Sequence, residues 1–314
     1  MTMASNLRWS YMDHWRADTP RGPMTQYGSR RLMDDFVKQI GAVGFEGLDM
    51  FDFQIYGLTQ MFGSIEKYQE YLRDHGIAKI VNLFRGIMYA PRVADPHVRE
   101  THDEIVESTR RMLGMWENLQ IENLIVMPAG LYADTAPVTE DKIKAAAECW
   151  NRVGEMSAGF GVRTTGHHEF FCAIRTEEDI LRFYEWTDPR YVSFFCDTAQ
   201  HCIAGVDPVE LYLKLHDRVS GFHFKDTREV DTTQAYMNRP DAELMAPQTA
   251  RWFYEMGTDG GLVDFPRLMR ALKEHQFTGW ITVEHDKANI DGDYAESTAL
   301  AMWYAKHVLA EVYT

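Results

Sequence analysis

Positive charge is scarce in this 314-residue chain, where 32 lysines and arginines stand against 47 aspartates and glutamates for a net charge of −15. Such a surface repels phosphate backbones and anionic headgroups, which argues against nucleic acid or a membrane surface as partner. Cysteine is scarce too. The four present, Cys149, Cys172, Cys196 and Cys202, have no CxxC spacing, so small buried hydrophobes are expected rather than a disulfide frame or zinc knot. No apolar run reaches the roughly 18 residues of a membrane span, and the N-terminus carries no basic-then-apolar leader. The expectation is a cytoplasmic protein. No GxGxxG follows the first apolar segment, which removes the usual signature of a dinucleotide-binding sheet.

What is present is a regular alternation. Hydrophobic residues make up 45% of the chain, enough for one large α/β barrel or two ordinary domains. Short, largely apolar runs predict strands at Leu7–Met12, Phe45–Phe51, Ile77–Phe84, Asn123–Met127, Val162–Phe171, Val192–Cys196, Val219–Phe224 and Trp280–Val283. Helical periodicity falls between them, over 29–43, 64–75, 97–119, 139–160, 176–186, 207–218, 264–275 and 294–312. In the first of these, Leu32, Phe36, Val37 and Ile40 share a face and Gly44 ends the helix. Eight strand–helix units over nearly the whole chain predict an α/β fold, a single-domain (β/α)8 TIM barrel over 1–314.

Two connections are too long for simple links. Residues 13–28 and 227–261 follow strands one and seven, and so belong over the C-terminal face where barrels keep their chemistry. The second contains Trp252, Phe253 and Tyr254. That aromatic content predicts a folded lid or interface segment rather than a linker.

The C-terminal ends of the last four strands carry Glu169 (TTGHHE), Asp197 (SFFCD), His223 (GFHFKD) and Glu284 (ITVEHD). Singly each is unremarkable, since acids at strand ends usually cap helices and lone histidines are usually core. Four in register would repel one another unless a divalent cation lay between them. Oxygen and nitrogen ligands suit Mn²⁺ first, with Mg²⁺ or Co²⁺ next. Period-two alternation places His167 on the same face as Glu169 and turns His168 into the barrel wall. His167 is therefore the first candidate for a general base, with His201 as its rival. Lys225 and Arg228 are candidates to hold substrate oxygens. Trp9, Tyr11, His14 and Trp15 cluster at the end of the first strand as candidate substrate-stacking residues, with further aromatics after strands two, three and five.

At these residues the chain resembles the xylose-isomerase-like TIM-barrel superfamily of sugar isomerases and epimerases, inosose dehydratase and endonuclease IV. The resemblance rests on the spaced Glu169, Asp197, His223 and Glu284, and on CDTAQH, HFKD, GTDGGLVDF and GWITVEH. It implies that the four residues bind one divalent metal and that His201 contacts substrate. Endonuclease IV holds three zincs with additional histidines on early strands. Strands two and three here end LDMFD and NLFRG, without histidine, which points to a one-metal enzyme acting on a small molecule.

The LRWSYMDHW opening and the long connection after strand seven are similar to the large (α) subunit of bacterial C-glycoside deglycosidases. That resemblance implies a lyase cleaving the sugar–aglycone bond of 3-oxo-C-glycosides by metal-assisted β-elimination, in a hetero-oligomer with a small β-sandwich subunit. The other reading is a metal-dependent isomerase, epimerase or dehydratase of keto-sugars or inositol derivatives. A non-catalytic binding subunit is the third.

Overall fold

The computed structural model describes residues 7–13, 17–19, 22–24, 28–85, 95–232, 252–286 and 293–313. Eight parallel strands close into a barrel: β1 (Arg8–Asp13), β2 (Gly47–Phe51), β3 (Lys79–Phe84), β4 (Asn123–Val126), β5 (Arg163–His167), β6 (Val192–Asp197), β7 (Val219–Phe224) and β8 (Trp280–His285). Each pairs with its neighbours in sequence, and β1 closes the ring between β2 and β8. This is the expected TIM barrel.

The outer layer contains α1 (Arg30–Val43), α2 (Ile65–Asp74), α3 (His102–Met115), α4 (Glu140–Ala158), α5 (Glu177–Trp186), α6 (Pro208–Leu215), α7 (Phe265–Glu274) and α8 (Tyr294–Tyr304). Seven of these begin at a Ser, Thr or Asp whose side-chain oxygen accepts a backbone N–H of the first turn: Ser29, Ser64, Thr139, Thr176, Asp207, Asp264 and Asp293. Such caps satisfy donors that a helix start otherwise leaves open. Gly44 ends α1 with φ of 98°, a left-handed conformation in which a side chain is strained.

Four local outcomes depart from the expected pattern. A short hairpin of Ala17–Thr19 and Gly22–Met24 follows β1, and a helix over Ile55–Phe62 follows β2; neither stretch has the length or periodicity to announce itself. Strand β5 stops at His167 rather than Phe171, because the backbone turns there: Cys172 N–H donates to Glu169 O at 3.0 Å and residue 172 bridges to Leu131. Glu169 has therefore left the strand, and period-two alternation no longer governs where it points. Strand β8 runs two residues past Val283, so Glu284 lies within it.

Alternation does hold along β1. Ser10 and Met12 face inward, whereas Tyr11 packs on Phe36 and Phe45, and Trp9 stands edge-on to Phe224 at 6.2 Å. Trp9 and Tyr11 therefore fill the layer between sheet and helices. They do not line the barrel mouth, which corrects the expectation that they stack on substrate. His14 and Trp15 lie outside the described residues.

A second apolar cluster caps the C-terminal end of the barrel. It joins Met12, Phe51, Phe84, Phe170, Trp252 and Phe253, among others. Trp252 and Phe253 come from the far end of the long connection after β7. Its two ends are pinned together at Asp226, whose backbone exchanges both hydrogen bonds with Tyr254 at 2.9 Å. The Asp226 side chain accepts the N–H groups of Thr227, Leu262 and Val263 at 2.8–3.1 Å. A Cβ on Gly261 would stand 1.9 Å from Asp226 Oδ2, which is why the GTDGG segment has glycine there.

Gly261→Ala should force this clasp apart and cost about 1–3 kcal/mol, the range for overpacking a filled site. Circular dichroism should show the melting temperature falling by several degrees; an unchanged melting temperature would show that the clasp tolerates the methyl group.

Candidate metal centre

One oxygen or nitrogen atom from each of His167, Asp197, His223 and Glu284 lies within 4.8 Å of the others, and all four residues are buried. His167 ends β5, Asp197 ends β6, and His223 and Glu284 lie in the last turns of β7 and β8, so four successive strands deliver them to one point. Each is held from behind. Asp197 caps the helix over Thr198–Ile203, its Oδ1 accepting Gln200 N–H at 2.9 Å, which leaves Oδ2 turned towards His167 at 3.2 Å. His223 Nδ1 lies 2.7 Å from Glu284 and 3.1 Å from His167 Nε2. Its Nε2 lies 3.4 Å from Asp49.

Glu169 stands one step outside that quartet. Its Oε1 is 3.2 Å from His167 Nδ1, and its Oε2 accepts a hydrogen bond from Gln200 Nε2. Gln200 Oε1 takes the Phe170 N–H at 3.1 Å, so one amide fixes both the Glu169 carboxylate and the turn that carries it. His201, the next residue, faces the other way. It is buried beside Phe194 and His168, and among the described residues its Nε2 has no hydrogen-bond partner. Burial pushes its pKa down to about 4. The amide, not the imidazole, reaches Glu169. His168 turns outward as expected, its Nδ1 2.9 Å from Ile174 O and its ring against Phe183 and Tyr184. Burial lowers its pKa to about 3.

Lys225 lies completely inside the site. Its Nζ is 3.2 Å from Asp197, 3.1 Å from Glu284 and 2.9 Å from Asp286, and it sits 4.1 Å from the Phe253 ring centroid. Burial opposes its charge, but Asp197, Asp286 and Glu284 outweigh that and raise its pKa well above the ordinary value. Arg228 instead lies exposed over Tyr254, 4.0 Å from the ring. It belongs to the outer side of the clasp, not to the cluster.

The electrostatics follow from crowding. Asp49, Glu169, Asp197, Glu284 and Asp286 are all buried here, with Lys225 as the lysine among them. Burial pushes His223 towards neutrality, yet Glu284 and Asp49 raise its pKa to about 10. His167 is raised in the same way, burial being outweighed by Glu169 and Asp197. Asp197 is held below the usual carboxylate range because Lys225 and His167 more than offset its burial.

A divalent cation fits this donor set. Ligand atoms each about 2.0–2.3 Å from one ion stand up to about 4–4.6 Å apart, so a quartet within 4.8 Å is already close to the required size. Two carboxylates and two imidazoles are hard-to-borderline ligands, suited to a first-row divalent ion and not to a thiolate-seeking one. Such an ion competes with protons for the same lone pairs, relieving the carboxylate excess without imidazolium charge.

Asp49, Gln200 and Asp286 had no place among the expected site residues. Asp49 and Asp286 did leave a trace in the sequence: each is an acid beside an apolar strand run, in GLDMF and ITVEHD. Gln200 left none.

Comparison with known proteins places this geometry in context. An inosose dehydratase from Lacticaseibacillus casei is 26% identical over 162 residues, 52% of this chain and 53% of that protein. The chain thus spans about half the length of the curated relatives it matches. Among solved structures, the IolI protein with a bound zinc atom superposes with a TM-score of 0.67 at 16% identity, covering 98% of both chains. A xylose isomerase-like TIM barrel protein from Mycobacterium smegmatis in complex with magnesium gives 0.66 at 15% identity, covering 99% of this chain and 98% of that one. The model of one family matches residues 35–306, from α1 into the closing helix and across all four strand ends of the cluster: the chain belongs to the xylose isomerase-like TIM barrel family.

Proposed function

We propose that this protein is a divalent-metal-dependent enzyme that removes a proton beside the carbonyl of a keto-sugar and expels the substituent on the next carbon. The observation that carries this reading is a buried imidazole, His167, held between the Glu169 and Asp197 carboxylates within a cation-sized cluster. In this reading Glu169, Asp197, His223 and Glu284 hold the ion, for which we assign Mn²⁺, and His167 is the base. When bound, the ion lowers the cost of negative charge on a substrate oxygen. With its proton on Nδ1, towards Glu169, a neutral His167 turns its Nε2 lone pair to the centre of the cluster, between Asp197 and His223, and a substrate C–H would have to enter there to reach it. Lys225 balances the carboxylates and offers N–H donors to substrate oxygens. Trp252 and Phe253, both buried over the barrel end, exclude water from the reacting atoms.

The finer assignment is a carbon–carbon lyase acting on 3-oxo-C-glycosides. The C2–H bond breaks and its electron pair forms the C1–C2 double bond. The C1–aglycone bond breaks with its pair going to the aglycone carbon, which takes up the proton returned by His167. The substrate already carries the oxo group, so no oxidant is consumed. What supports an aromatic leaving group is the mouth itself: Phe51, Phe84 and Phe170 cluster under Trp252, and the half-exposed Phe53 ring stacks on Phe51 at 5.1 Å. A second reading shares the first step but expels hydroxide as water, and the inosose dehydratase relatives favour it.

A separate observation favours another division of labour at the metal. The mutually close quartet contains His167 and not Glu169, which makes His167 the fourth ligand and Glu169 its orienting partner.

Three experiments decide among these readings. Glu169→Gln and His223→Ala should each lose bound metal and activity together, measured by elemental analysis and turnover; full metal occupancy in both would sink the ligand assignment. His167→Gln should retain metal while kcat falls about 10²–10⁴-fold, the usual worth of a general base, and loss of the metal instead would make His167 a ligand. Incubation with a 3-oxo-C-glucosyl flavonoid should release the free aglycone, followed by chromatography. Dehydration of an inosose with no aglycone release would establish the second reading.

A further inference from the structure

A buried polar chain runs from the metal cluster down into the barrel, and it converges on one atom. Asp49 Oδ2, on β2, takes Asn82 Nδ2 at 2.8 Å and Thr282 Oγ1 at 2.8 Å, and lies 3.4 Å from His223 Nε2. Behind these, Asn123 Nδ2 donates to Asn82 Oδ1 at 2.8 Å, and Ser10 shares a hydrogen bond with Thr282 at 2.6 Å. Strands β1, β2, β3, β4, β7 and β8 each contribute a member. Fixing a polar network of this size inside a closed barrel needs a reason beyond packing, because every unsatisfied member is costly.

We propose that Asp49 is a positioning residue that sets the tautomer of His223. The inference rests on the reading of His223 as a metal ligand. An imidazole can give a lone pair to a cation from one nitrogen only when its proton is on the other. His223 turns Nδ1 to the cluster and Nε2 to Asp49. Asp49 Oδ2 already accepts from Asn82 and Thr282, so it faces Nε2 as an acceptor, keeps the proton there and leaves Nδ1 free for the ion. Asn82 and Thr282 keep Asp49 turned to this task. An asparagine at position 49 has the same shape but no charge: the Asn82 and Thr282 donors keep its amide oxygen towards Nε2, and a neutral acceptor holds the Nε2 proton less firmly than a carboxylate.

The test uses Zn²⁺ as probe, titrated in competition with a chromophoric chelator, together with ¹⁵N NMR of the histidine side chains in the zinc-loaded full chain. The His223 resonances are assigned by their absence in His223→Gln. The wild-type protein is expected to show His223 with its proton on Nε2, and Asp49→Asn to bind Zn²⁺ about 10–100-fold more weakly, the usual cost of losing a ligand's outer partner. Ser10→Ala, which removes a hydroxyl bonded to Thr282 and touches neither Asp49 nor His223, should stay close to wild type. Wild-type affinity in Asp49→Asn, equal losses in both variants, or a proton on Nδ1 in the zinc-loaded wild type would each overturn the proposal while leaving the metal centre standing. Failure of the wild-type protein to bind Zn²⁺ would instead bring down the ligand reading, and this proposal with it. Should Asp49→Asn fail to fold, the wild-type tautomer alone decides.

Discussion

Like charges buried side by side at the end of a closed barrel constrain everything else in this structure. Asp197, Glu284 and Asp286 crowd around the Lys225 ammonium, with Glu169 and Asp49 just beyond. Carboxylates so placed cannot shed their charge into water and cannot tolerate one another without cations between them. Lys225 supplies one such cation. The removal of one partner from a buried pair of this kind typically costs about 3–5 kcal/mol, so Lys225 has a structural role whatever it does for substrate. The second cation is the one the quartet is shaped to receive, and the same carboxylates draw His223 and His167 towards their charged forms.

Holding those groups in place falls to the backbone. A strand end is a poor anchor for a long side chain, and each member of the cluster is fixed by something it does at the same time. Asp197 is both cluster member and helix cap. Gln200, in that helix, ties down Glu169 and the turn after β5. Thr198 Oγ1 donates to the Lys225 carbonyl at 2.6 Å, locking the end of β6 to the end of β7. The CDTAQ segment thus serves as a brace between neighbouring strands, with Asp197, Thr198 and Gln200 each given a separate duty. Pre-organisation of this kind matters because donors or bases displaced by about 1 Å lose much of their catalytic value.

The sequence made the barrel readable because its signal is repetitive: eight apolar runs alternate with eight periodic helices, and most boundaries fall within a few residues of their expected positions. The cluster was readable for the same reason, since Asp197, His223 and Glu284 recur at equivalent strand ends. What could not be read depended on contacts distant in sequence or on a change of backbone. Alternation pairs Glu169 with His167, and the two do meet at 3.2 Å, but the strand ends at His167 and the loop after it, not period two, sets where Glu169 points. Trp9 and Tyr11 look like a substrate platform when counted as aromatics near a strand end; period two, applied to the same residues, turns them to the helices. Asp49 stands 174 positions before His223, the residue it faces, and no local pattern joins them.

The HFKD segment shows how the site and its cover are built as one unit. His223 enters the cluster, Lys225 bridges its carboxylates, and Asp226 clasps the returning chain through backbone bonds to Tyr254 and side-chain bonds to Thr227, Leu262 and Val263. The clasp brings Phe253 down onto Lys225 and Trp252 onto Phe170. Seating these rings removes water from the ammonium and the carboxylates around it, which strengthens every charge interaction below. The charges in turn give Phe253 a cation to cover, a contact worth more once it is desolvated. Cover and centre therefore stabilise one another, and a change that loosens the Asp226 clasp weakens the electrostatics of a cluster it does not touch.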